Sequence, residues 1–119
     1  MATSTPNHSQ LISSEDVNGT EVYDPTGKSI GSIDHLMIDK LSGRVTYAVM
    51  GFGGFLGLGH NHYPIPWGAL KYDTTLGGFV TDITEQQLKD APAFSDDAWT
   101  DRNWEKSTYQ HYNVAPYWM

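Results

Sequence analysis

The chain contains no cysteine, which excludes disulfide bridges, thiolate metal sites and cysteine nucleophiles. It is also poor in basic residues. Seven Lys and Arg against 14 Asp and Glu give a net charge of −7. Nucleic-acid binding rests on Lys and Arg neutralising phosphates, and the bases here are scattered without forming a patch. Neither a nucleic acid nor an anionic membrane surface is an expected partner. The longest weakly polar stretch, Tyr47 to Gly59, is too short and too glycine-rich to cross a bilayer as a helix. The opening MATSTPNHSQ lacks the basic-then-apolar order of a secretory signal, so a cytoplasmic location is the default expectation. Hydrophobic residues still make up 39% of the 119 positions, enough for one domain with a modest core.

The most informative stretch runs from Arg44 to Leu70. It reads as a strand, RVTYAVM, then the turn GFGGFLGLG, then a second strand that ends at Pro66 and Trp67. Five of the 12 glycines fall between Gly51 and Gly59, interleaved with Phe52, Phe55, Leu56 and Leu58. A dinucleotide-binding loop needs a strand before its glycines and a helix after them, so that the helix N-terminus faces the pyrophosphate. Here a strand follows, with Pro64 and Pro66 in it. The glycines instead let an apolar hairpin tip bend while its large side chains seek burial.

Around this segment the turn chemistry predicts six short strands: 21–23, 29–39, 44–50, 62–65, 70–73 and 79–82. Asp24-Pro25-Thr26-Gly27 and Leu41-Ser42-Gly43 mark turns. The 29–39 strand has no cleanly apolar face, which calls for a bulge or bend between Gly31 and Asp34. Ser13 to Asp16 can cap a single helical turn, and Thr84-Glu85-Gln86-Gln87 has the capping-box pattern of a short helix ending near Asp90. Strands at this spacing predict a mainly β fold, a small antiparallel six-stranded barrel. Residues 1–10 read as a disordered leader, 11–94 as the barrel domain and 95–119 as an aromatic-rich extension. In that extension 100–109 forms a short helix capped by Thr100 or Asp101. Trp99, Trp104, Tyr109, Tyr112, Tyr117 and Trp118 crowd the extension, so it either packs over the barrel or docks on a partner.

The pattern G-x-x-V-Y-D-x-x-G-K-x-I-G-x-I-D-H-L-M-I-D from Gly19 to Asp39 resembles the opening of PRC-barrel domains, and GGFLGLG followed by a strand ending in PW is similar to their stand-alone bacterial members. The resemblance covers residues 11–94. It implies a β-barrel of about six strands that acts through protein contacts without catalytic residues. That is the role of the barrel in the cytoplasmic domain of the photosynthetic reaction-centre H subunit and in a ribosome-maturation factor. The membrane helix of the first and the partner domain of the second have no counterpart in this chain, so neither role carries over directly. For stand-alone members the resemblance implies self-association.

No Ser-His-Asp or comparable constellation can be assembled from the spacing. Asp34, Asp39, Asp73 and Asp82 fall at strand ends or turns, where aspartate serves local hydrogen bonds. A non-enzymatic protein without a cofactor is therefore expected. Phe52, Phe55, Leu56 and Leu58, with Trp104, Tyr117 and Trp118 of the extension, are the candidate contact residues for a homodimer and for an unknown protein partner. His60 and His62 stand two apart at the loop exit and would point the same way on a strand. They are the candidates for an alternative small-ligand or metal site, with Asp34, His35 or Asp39 as further ligands.

Overall fold

In the computed structural model, the described residues are 10–52 and 62–119. Helix α1 (Ser14–Val17) precedes strands β1 (Glu21–Tyr23), β2 (Ser29–Ile38), β3 (Val45–Gly51) and β4 (His62–Pro66). A 3₁₀ turn at Trp67–Ala69 leads to β5 (Lys71–Asp73) and β6 (Gly78–Val80), followed by α2 (Glu85–Lys89), a 3₁₀ segment at Asp96–Thr100 and α3 (Arg102–His111). Side-chain oxygens set most of these boundaries. Asp24 Oδ1 accepts the Thr26 and Lys28 N–H groups, at 2.9 and 3.0 Å, across the β1–β2 turn. Thr84 and Gln87 complete both halves of the capping box on α2. Asp101, not Thr100, caps α3, accepting from the N–H groups of Asn103 and Trp104.

The six strands form one sheet in the order β4-β3-β2-β1-β6-β5. Two features correct the expected antiparallel barrel. The pairing of β1 with β6 is parallel, Val22 opposite Phe79, so the sheet is mixed. The edge strands β4 and β5 do not pair with each other among the described residues, so hydrogen bonding does not close the sheet. Turn chemistry dictates antiparallel pairing only between strands joined by a hairpin. β1 and β6 meet across most of the domain, where no turn constrains their direction. The sheet is nonetheless rolled. Laid flat, its outer strands would stand about 24 Å apart at about 4.8 Å per step. The chain passes from Pro66 in β4 to Lys71 in β5 in five residues, a reach of at most about 18 Å.

Bulges reconcile the sequence of β2 with this roll. Ile33 and Leu36, three apart, would face opposite sides of a regular strand. Both pack into the interior cluster because the ladder to β3 slips between Ile33 and His35, leaving Asp34 as the extra residue. Gly31 lies at the crowded start of the bend, where an added Cβ would stand 2.6 Å from the Gly51 carbonyl oxygen and 3.0 Å from Phe52 Cδ1.

Two hydrophobic clusters share strand β3. Ala48 and Met50 point into the interior with Val22, Ile33, Ile65 and Phe79. Tyr47 points the other way, into a cluster with Ala98, Trp104 and Tyr109 of the extension. Burial on both faces explains why β3 reads as a nearly unbroken apolar run.

Candidate functional site

The glycine-rich tip lies largely outside the described residues, and with it Phe55, Leu56, Leu58 and His60. Its first aromatic is described: Phe52 is 4% exposed and packs edge-on to Tyr63, ring centroids 5.5 Å apart. Of the candidate contact residues in the extension, Trp104 is 8% exposed. Its ring, like those of Tyr109 and Tyr117, lies against Tyr47. Tyr117 and Trp118 keep part of their surface, and the Arg102 guanidinium stacks 3.9 Å above the Trp118 ring. The extension therefore packs over its own barrel.

A buried carboxylate ties it down. Glu105 Oε1 accepts the Tyr47 hydroxyl at 2.9 Å and the Tyr117 hydroxyl at 2.7 Å, and Arg102 Nε lies 3.7 Å from Oε2. The Tyr109 hydroxyl donates to the Thr46 carbonyl at 2.5 Å. Burial, then the hydrogen bond to Glu105, pushes the Tyr117 phenol up to about 12. Burial is also the main cause that raises Tyr47 and Tyr109, further still.

Of the ligands suggested for a metal site, Asp34 and His35 come together beside His62, and Asp39 does not. The extra residue of the bulge, Asp34, has Oδ2 2.6 Å from His35 Nδ1 and Oδ1 3.9 Å from His62 Nε2. The His35 hydrogen bond is the main cause holding the Asp34 carboxyl below its usual range. Asp39 instead accepts the Ser42 N–H in the β2–β3 turn, and Asp73 does the same for Thr75 and Leu76. No group of three His, Cys, Asp or Glu among the described residues is arranged to hold a metal ion.

A cleft of about 580 Å³ opens between the β4 edge at His62–Pro64, the connector after α2 and one face of α3. That face presents Trp104, Thr108 and Tyr112, four residues apart and so stacked one turn above another. All three are deeply buried, and Trp104 Nε1, Thr108 Oγ1 and Tyr112 Oη have no hydrogen-bond partner among the described residues. The sequence reading passed over Thr108 as a site residue and took Tyr112 only as part of the aromatic crowd. The i, i+4 spacing of Trp104 and Thr108 along the expected helix, continued to Tyr112 just beyond it, was the available signal. Trp67, directly after β4, packs on Phe79 and does not line this cleft.

A rolled six-stranded sheet with short connecting turns and a filled interior defines a small β-barrel-like domain. The family profile of the PRC-barrel domain matches residues 10–88, and the chain belongs to that family. No curated protein matches it. Helix α3, with the orphaned polar groups of the cleft, lies beyond the matched residues. Among the described residues no helix is long and apolar enough to cross a membrane.

Proposed function

We propose that this protein is a non-catalytic, cytoplasmic interaction module that pairs with a second copy of itself through the apolar loop between β3 and β4. The pair then serves as a docking scaffold for a further protein. The observation that carries this reading is the packing of Phe52. It already occupies the barrel at the point where the loop departs, wedged between Tyr63 and the Gly31 backbone with no room for one further carbon at Gly31. Phe55, Leu56 and Leu58 follow within six residues. Three more large apolar side chains in so short a loop form a group that a monomer seldom leaves uncovered. Membership of the PRC-barrel family supports the same reading.

Sedimentation equilibrium tests it. The wild-type chain is expected to sediment as a dimer at micromolar concentration, and Phe55→Ser as a monomer with an unchanged far-ultraviolet spectrum. A wild-type monomer at high micromolar concentration, or a Phe55→Ser variant that still dimerises, refutes it.

A further inference from the structure

We propose that the cleft between β4 and α3 is a binding site for a small neutral molecule with a flat apolar body and a carbonyl-type acceptor. Buried polar groups are nearly always hydrogen-bonded, yet this cleft collects three that have no partner among the described residues. Their exposures are 8, 2 and 7% for Trp104, Thr108 and Tyr112. An indole N–H can only donate and both hydroxyls can donate, so the missing complement is an acceptor. Trp104 and Thr108 stand on successive turns of α3 and Tyr112 caps its C-terminus, about 6 Å apart along the axis, so the three donors are spaced along the side of the cleft, just beneath its surface.

The charges at the site argue for a neutral ligand. Among the described residues no Asp or Glu lines the cleft, although the chain has 14. The lysine on its rim already faces a carboxylate: Lys89 Nζ lies 2.9 Å from Glu85 Oε2. A charged ligand would be buried without a counter-charge of its own, at high cost. Tyr63, Phe94, Trp104 and Tyr112 supply aromatic walls, and the volume falls within the range of small-molecule sites. The three polar atoms are shut off from solvent, so seating an acceptor on them requires the wall from Ala91 to Phe94 to yield slightly. The test of this site does not depend on the proposed dimer.

The test uses 2-acetonaphthone, a neutral aryl ketone, and 2-ethylnaphthalene, which has nearly its shape without the acceptor. Binding is followed by proton–nitrogen NMR of the full chain. The ketone is expected to bind at sub-millimolar concentration and to shift the Trp104 indole N–H resonance, identified by its loss in Trp104→Phe. The hydrocarbon should bind about tenfold more weakly, the worth of one hydrogen bond. Thr108→Val should weaken the ketone without affecting the hydrocarbon. It should leave the free protein at least as stable as wild type, because it removes a hydroxyl that has no partner. An indole signal that does not move at saturating ketone, or a hydrocarbon that binds as tightly as the ketone, overturns the proposal. A shift with the capped peptide acetyl-Ala-Pro-Ala-amide but not with the ketone overturns the assignment to a small molecule.

Discussion

Replacing Tyr47 with phenylalanine removes a single hydroxyl from the buried junction between β3 and the C-terminal extension. That hydroxyl donates to Glu105 Oε1 at 2.9 Å, and both residues are buried, Tyr47 with 1% exposure and Glu105 with 6%. A hydrogen bond to a charged acceptor contributes about 1.5–3 kcal/mol, and water has no easy access to replace it here. Glu105 keeps the Tyr117 hydroxyl at 2.7 Å, so the carboxylate is weakened rather than orphaned. The phenyl ring keeps its contacts with Trp99 and Tyr109. The expected loss is therefore about 2 kcal/mol, or about 6–10 °C in Tm for a chain of this length. Urea unfolding followed by tryptophan fluorescence measures it, since Trp99 and Trp104 lie in the same cluster. A double-mutant cycle with Glu105→Gln, which keeps an acceptor oxygen but removes the charge, isolates what the carboxylate charge adds to the bond and should give a coupling of about 1 kcal/mol. If Tyr47→Phe unfolds within about 0.5 kcal/mol of wild type, the range of a surface change, the junction does not hold the extension as argued.

Alkaline pH should unfold the protein through the same region. Burial raises the phenols of Tyr47, Tyr109 and Tyr112, and Tyr117 is pushed up to about 12. A raised phenol pKa favours the protonated folded state. The contribution is therefore fully present below the unfolded value near 10 and is lost as pH rises above it. Denaturant midpoints should be level on approach to pH ~10 and fall beyond it, while a midpoint that stays level as the phenols ionise contradicts the burial argument. Gly31→Ala should cost about 2 kcal/mol or more, because its Cβ meets backbone, the Gly51 carbonyl oxygen, at 2.6 Å. Differential scanning calorimetry that finds it neutral would mean the start of β2 is less crowded than described.

Much of the fold was legible because its determinants act over a few residues. Asp24, Gly27, Thr84 and Gln87 set turns and caps through bonds to atoms within four positions, so their letters identify them. The bulge at Asp34 was legible for a related reason, since neither face of 29–39 could be buried as a regular strand. The parallel β1–β6 pair was not, because nothing near Val22 or Phe79 in the sequence specifies their relative direction. The site was less legible than the fold. The loop residues Phe55, Leu56 and Leu58 stand out by composition alone. Thr108 and Tyr112 look like ordinary helix residues until packing against β4 and the connector leaves their hydroxyls without partners.

By itself, then, the sequence determined the family, the six strands and the places where the chain turns, because backbone propensity, capping and alternation are local. The tertiary structure decided that the sheet is mixed and that the aromatic extension folds back onto Tyr47. It also decided that three residues on and next to α3 with unpartnered buried polar groups line one cleft. Those outcomes depend on which distant surfaces exclude water from each other, a balance set by the packing of the whole chain.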